Sequence, residues 1–323
     1  MVMQMMAIPG RSGEEAAIMD FIRGKLMEAG APANAWTMDD AQRHRPIGGQ
    51  VGNLVLKLPG TVRGPRRMLV AHVDTVPICV GSRPVRKGRR LVSANKATGL
   101  GADNRSGAAV LLTTALSILR AKLPHPPLTC LWTVQEETGL FGARHVRLPL
   151  LGKPRLAFNF DGDPPNKLTI GATGGYRMTI DVFGIASHAG NHPEEGVSAI
   201  AIASLAVTDL VTSGWHGLIA KDGHAGTSNV GVIQGGDATN VVTDHVRIRA
   251  EARSHEPKFR DRIVKEIRGA LERAAANVRN ATGKAGRVEF KGRLDYESFR
   301  LAHDEPCVAG GTTPLRDIDR AHP

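Results

Sequence analysis

The sequence has few aromatic residues. Phe, Trp and Tyr make up 4% of its 323 residues, so Leu, Val, Ile and Ala must fill most of any core. No window approaches the roughly 18 consecutive apolar residues of a membrane span, so no membrane partner is expected. The opening MVMQMMAIPGRSGEE has no basic flank, and its apolar run is too short for a secretion signal. It reads as the middle of a helix begun further upstream, which predicts a clipped amino terminus. There are only three cysteines, Cys79, Cys130 and Cys307, odd in number and far apart. That excludes a disulfide framework and predicts a reducing, cytoplasmic setting. Without a CxxC pair a thiolate zinc site is excluded as well. Internal repeats and low-complexity tracts are also missing.

Charge of one sign is in excess. The formal net charge is +11, which makes nucleic-acid binding the first class to weigh. Basic residues crowd Arg83 to Arg90, RPVRKGRR. No aromatics interleave there to stack on bases, and no DNA-binding motif is present, so the stretch reads as a solvated basic loop. No nucleic-acid partner is predicted.

The length suits two domains. In the first half the pattern alternates between element types. Helical spacing covers 12–29, with Ser12 and Glu15 as a capping box. Strands are predicted at 52–57, 67–73, 128–135 and 155–160, with a helix at 105–122 and a short one near 139–146. Their nearly continuous apolar cores point to an α/β domain with a largely parallel mixed sheet flanked by helices. From about Gly174 the pattern changes to a strand with period two, a helix at about 194–213, strands near 226–234 and 244–253, a charged helix at about 257–280 and a closing strand from Val288. This is the order of a ferredoxin-like α+β unit, inserted as a lid domain. The expected division is 1–172 with 301–323 for the catalytic domain, and 173–300 for the insert.

Acidic residues gather where strands end. His72 and Asp74, in AHVDTVP, share a strand face just before Pro77 ends the run. A zinc-bound imidazole commonly donates its second N–H to a carboxylate, a role open to Asp74. A polar turn explains the pair equally well. Asp103 in GLGADNRSG reads as a helix cap or a ligand. Glu136 and Glu137, adjacent at a strand end, would face opposite ways and need distinct tasks. Asp161 in FNFDGD reads as a turn residue when taken alone. In an open parallel sheet, however, all these positions share one edge, where ligands bind. So much negative charge in one crevice calls for cations. Mixed imidazole and carboxylate donors suit zinc, with cobalt or manganese as alternatives.

HVDTVP, GLGADNRSG, VQEETGLFGARH and FNFDGD, in this order, resemble the co-catalytic zinc peptidases that include peptidase T and other di- and tripeptide aminopeptidases. Aminoacylases, carboxypeptidases and desuccinylases share that fold. The resemblance implies a hydrolase, a zinc metallopeptidase of tripeptidase type. In it His72 and Asp161 hold one zinc, Asp103 bridges two, and Glu137 holds the second. Asp74 orients His72, and Glu136 is the general base. It further implies that GIASHAGNHPEEGVSAI and GGDATNVVTDHVRIRAEARS are lid motifs. Their His188, Asn240 and Arg253 would bind substrate, and the lid would form a homodimer; His192 reads as a surface residue, and pairing of Arg253 with Glu251 or Glu256 is the alternative to substrate anchoring. The same scaffold also supports hydrolysis of N-acyl amino acids or of carboxy-terminal residues, or a degenerate metal-binding, dimerising protein. Family members carry a further ligand histidine near the carboxyl terminus. Here YESFRLAHDEPCV is followed by AGGTTPLRDIDRAHP, and neither His303 nor His322 fits that place. The chain therefore reads as truncated there, and is expected to bind one metal better than two and to hydrolyse poorly.

Overall fold

The computed structural model describes residues 1–44, 48–162, 164 and 166–312, so His322 lies outside the described residues. The chain divides into two compact units, Met1–Leu168 with Asp304–Pro323, and Thr169–His303.

The first unit runs through α1 (Val2–Ala7), α2 (Ala16–Glu28), β1 (Trp36–Met38), β2 (Leu54–Leu58), β3 (Arg67–His72), a hairpin of β4 (Pro84–Lys87) and β5 (Arg90–Ser93), α3 (Ala102–Ala121), β6 (Leu128–Thr133), α4 (Phe141–Arg144) and β7 (Leu156–Asn159). The stretch expected as a basic loop is thus the β4–β5 hairpin, with Gly88 left-handed at its turn. Its alternating Val85 and Val92 pair across the ladder, a period that the lysines and arginines obscure. The main sheet has the order β1-β2-β6-β3-β7. β3 lies parallel to both β6 and β7, whereas β1 and β2 pair antiparallel, so the sheet is mixed. Strand alternation covers both faces. Leu54, Leu56, Cys130 and Trp132 point into the core shared with α2 and α3, while Val55 and Leu131 meet Leu151 on the other side. Parallel β3, β6 and β7 end at one edge, and the loops beyond it carry the acidic residues.

The second unit contains β8 (Gly171–Ala172), β9 (Gly174–Phe183), β10 (Ser187–His188), α5 (Ala199–Thr212), β11 (Gly217–Lys221), β12 (His224–Gln234), β13 (Val241–Val242), β14 (His245–Ser254), α6 (Pro257–Asn277), β15 (Arg287–Tyr296) and β16 (Phe299–Arg300). Its sheet, β11-β12-β14-β9-β15, is antiparallel throughout. Without the edge strand β11 it has the βαββαβ topology expected for the insert. Ser198 caps α5 by accepting a hydrogen bond from Ala201 N at 3.1 Å. Pro257 opens α6, where its missing N–H costs nothing. Phe259, Ile263, Ile267, Ala270, Leu271 and Ala274 form the apolar stripe of α6 and bury it against the sheet's inner residues Met178, Ile180, Val182, Val246 and Ile248. Among the described residues of this unit, no helix packs on the opposite face of the sheet.

Candidate metal centre

His72 closes β3, is 3% exposed, and is held from both ring nitrogens. Its Nδ1 lies 3.1 Å from the Asp74 carbonyl oxygen and 3.3 Å from Asp74 Oδ1. Its Nε2 lies 3.1 Å from Asp103 Oδ1, 3.8 Å from Asp161 Oδ2 and 3.9 Å from Glu136 Oε2. His72, Asp103 and Glu137 each offer a donor atom within 4.8 Å of the others. Residues from four separate segments, spread over 90 positions of sequence, therefore meet at the strand-end edge.

Asp74 is fully buried and organises this meeting. Its Oδ2 accepts from Ser12 Oγ at 2.6 Å and from Glu137 N at 3.2 Å, and its Oδ1 accepts from Glu136 N at 2.9 Å. One carboxylate thus fixes both the histidine and the backbone of the glutamate pair. Burial by itself would raise its pKa; the hydrogen bonds from His72, Ser12 and Glu136 N outweigh that and hold it below the usual carboxylate range.

The expected capping box at Ser12 and Glu15 does not form. α2 starts at Ala16 with no side-chain cap, and both polar side chains turn inward. Ser12 serves Asp74, while Glu15 Oε1 accepts from Gly13 N at 2.7 Å and Gln135 N at 3.1 Å. Gln135 adopts φ 55°, and this left-handed turn sends Glu136 and Glu137 off the strand. Arg105, 1% exposed, donates to Met5 O at 3.1 Å and to Gly10 O at 3.4 Å, tying the amino-terminal loop beneath the site. Sequence reading missed Arg105, Asn104 and the long-range roles of Ser12 and Glu15. The only available signal was a polar cluster flanking an apolar helix.

Asp103 does not cap a helix. Gly101, left-handed at φ 75°, precedes α3, and Asp103 and Asn104 are non-helical. Their peptide bond is cis. Asn104 donates to Phe160 O at 2.8 Å and accepts from Gly107 N at 3.1 Å. Any Cβ at Gly107 would sit 1.9 Å from Phe160 O, so the close approach of α3 to the β7 end requires glycine there.

The electrostatics are dominated by the crowding of carboxylates. Burial raises Glu137 to about 7, and the neighbouring Asp103 adds to the rise. Glu136 and Asp161 are raised by burial too, with nearby carboxylates adding to the effect. Burial pulls His72 down, but Asp74, Asp161 and Glu136 overcome it and carry the ring up to about 9. Carboxylates gathered this closely raise one another's pKa, and a divalent cation is the partner that such a group favours. The donor set fits one: one imidazole with several hard carboxylate oxygens suits zinc, cobalt or manganese.

His188, Asn240 and Arg253 lie in the second unit. His188 pairs with Val241 across the β10–β13 ladder, and Ala189 N donates to Asn240 O at 2.9 Å, so these two residues are neighbours. His188 Nδ1 accepts from Gly190 N at 3.2 Å and Asn191 N at 3.1 Å, which leaves Nε2 as the N–H. Arg253 on β14 is paired with Glu251 through Nε at 2.9 Å and Nη2 at 3.0 Å. His192 lies exposed at the surface, 3.6 Å from Glu194. His303 is exposed.

Comparison with known proteins agrees with this architecture. Residues 170–279 match the peptidase dimerisation domain, and residues 53–180 match peptidase family M28. A tripeptidase from Staphylococcus aureus superposes with a TM-score of 0.87 at 28% identity, over 98% of this chain and 80% of its own. The aminopeptidase PepT of Bacillus cereus gives a TM-score of 0.81 at 28% identity, with the same coverage. The uncharacterised protein YqjE of Bacillus subtilis is 29% identical over 307 residues, 95% of this chain and 77% of its own length. With its mixed α/β unit, an antiparallel unit that matches the dimerisation-domain model and an acid-rich strand edge, the chain resembles the peptidase T-like metallopeptidases.

Proposed function

We propose that the chain hydrolyses short peptides as an aminopeptidase of tripeptidase type, at a site where His72, Asp103, Glu137 and Asp161 hold divalent cations, zinc in the first place. One observation carries the reading: His72 Nε2 lies within 3.1–3.9 Å of three carboxylates, those of Asp103, Asp161 and Glu136. A bound cation supplies Lewis-acid polarisation of the peptide carbonyl and acidifies water. The remaining work belongs to side chains. Asp74 keeps the His72 ring in one orientation and tautomer. Glu136, half-shielded and with its pKa raised, takes a proton from the attacking water and returns it to the leaving amine. His188 offers its Nε2–H to the developing oxyanion, and Asn240 offers its amide. Arg253, with two nitrogens held by Glu251, keeps Nη1 for a substrate carboxylate.

The finer assignments belong to the same proposal. Residues 1–172 with 301–323 form the catalytic domain, and 173–300 form the lid, through which two copies pair as a homodimer. The free thiols of Cys79, Cys130 and Cys307 support a cytoplasmic setting. Among the described residues a single histidine joins the donor group, so the first cation is held more tightly than the second, and turnover is slow where the second is lost. The test is cation titration by calorimetry coupled to a panel of tripeptides with free or acetylated amino termini. Expected are one tight and one weak cation event, with turnover confined to free amines. Two equally tight events would overturn the stepwise reading. Turnover of acetylated substrates alone would replace the aminopeptidase by an acyl-amino-acid hydrolase.

A further inference from the structure

The helix-free face of the second unit's sheet is a cationic groove. Its volume is about 580 Å³. Two rows of side chains cross it, set by strand register. In one row Lys291 on β15, Thr179 on β9 and Arg249 on β14 stand opposite one another. In the next, two residues along the strands, stand Arg293, Arg177 and Glu251. Neighbouring strands are about 4.8 Å apart, so Lys291 and Arg249 are separated by about 10 Å, and the two rows by about 6.6 Å.

The charges in this groove are unevenly satisfied. Asp295, whose side chain is 4% exposed, lies between Arg177 Nε at 2.5 Å and Arg293 Nε at 3.0 Å. One shielded carboxylate thereby fixes two guanidiniums at the groove wall. Glu251 is taken up by Arg253. Arg249 and Lys291 have no carboxylate partner among the described residues. A surface that gathers four cations and pre-orients two of them is arranged for an anion with more than one charge.

From this arrangement we infer that the groove binds short acidic peptides in an extended conformation. Alternate side chains of an extended chain project to the same side about 6.6 Å apart, the spacing of the two rows. Carboxylates at positions i and i+2 therefore reach both rows together. The lining contains no aromatic residue on which a base could stack, which favours peptide over single-stranded nucleic acid. The inference does not rest on the cation chemistry of the first unit, and its failure would leave the hydrolase reading untouched.

The test uses the full-length chain and a fluorescent peptide, Ac-Glu-Ala-Glu-amide, blocked at both ends so that an aminopeptidase cannot consume it. Binding is followed by anisotropy at low salt, with chelator and with added zinc. The expected result is binding about tenfold tighter than for Ac-Gln-Ala-Gln-amide, equal in both metal conditions, and weakening as salt rises. Arg249→Gln with Lys291→Gln should weaken it about tenfold with thermal stability unchanged, because neither side chain has a carboxylate to lose. Equal affinity for the two peptides, or no loss in the double variant, would overturn the inference. Displacement of the peptide by short oligo-dT at tenfold lower concentration would overturn it in favour of nucleic acid, and displacement by equimolar inorganic phosphate would reduce it to a simple anion site.

Discussion

The two units handle charge in opposite ways. The first hides it: Glu15 and Asp74 are 0% exposed, Arg105 is 1% and His72 is 3%. The second displays it, with Arg177, Arg249, Lys291 and Arg293 on an open sheet face, paired if at all with neighbours on the same ladder. Buried charge is costly, and it persists only where hydrogen bonds or a bound ion compensate. The first unit therefore keeps an arrangement that stability alone would not select, as expected of a reactive centre. In the second, ordinary packing of α5 and α6 on a regular sheet carries the fold, and the charges are left over for recognition.

The sharpest way to break this contrast is Glu136→Gln. If the first unit's charges serve chemistry, kcat should fall by at least about a hundredfold while cation affinity and thermal stability hold. A loss of cation affinity equal to the loss of kcat would instead make Glu136 a ligand. The matching change in the second unit, the groove double variant, should leave kcat for a neutral tripeptide unchanged.

Glu15→Gln probes the stability side. Burial raises the Glu15 carboxyl to about 7, against 4.5 when exposed. The folded protein thus binds a proton that the unfolded chain has released between those values, and stability falls as pH rises through that window. Above pH 7 the full penalty, roughly 3 kcal/mol, is present. Gln keeps the oxygen that accepts from Gly13 and Gln135 but cannot ionise. The variant should match the parent near pH 4 and exceed it at pH 8, read by denaturant unfolding. A constant difference across that range would mean that Glu15 titrates normally.

A smaller, paired test compares Ser12→Ala with Ser254→Ala. Each removes one hydroxyl hydrogen bond in a partly buried setting, to Asp74 Oδ2 at 2.6 Å and to Ala225 O at 2.7 Å. Both should cost about 1–2 kcal/mol of stability. Only Ser12→Ala should also lower kcat, because only Asp74 passes the disturbance on to His72 and the glutamate pair. Equal activities would mean that the Ser12 contact is structural.

Legibility followed the same divide. In the second unit the period-two strands and the stripe of α6 could be read directly, since each residue's burial depends on near neighbours in sequence. The edge strand Gly217–Lys221 escaped, being short and bounded by glycine and a turn. In the first unit β2, β3, β6, β7 and α3 were legible, and so was the clustering of acids at the strand ends, whereas β1 and the β4–β5 hairpin were not. What failed was the assignment of local partners. Ser12 and Glu15 have the spacing of a capping box, yet their bonds go to Asp74 and Gln135, 62 and 120 residues away. Asp103 looks like a cap, yet Gly101 turns the chain in its stead. Propensity rules assume that a polar side chain spends its hydrogen bonds nearby, and a buried centre recruits those side chains from a distance.

The smallest effect is expected at one of the shielded carboxylates of the second unit, Asp181. Asp181 Oδ1 accepts from Arg247 Nε at 2.9 Å and lies 2.8 Å from His245 Nε2. The Arg247 hydrogen bond, with help from His245, holds the Asp181 carboxyl below its usual range. A depressed carboxyl contributes stability above its unfolded pKa, and that contribution is lost as pH falls through the folded one. His245 and Arg247 stand about half in solvent, so screening limits the gain to less than about 1 kcal/mol. Asp181→Asn should therefore lower stability slightly at pH 7, less still in high salt, and not at all near pH 2. A salt-insensitive loss of several kcal/mol would mean that this unit, too, depends on buried charge, and the contrast between the two units would fail.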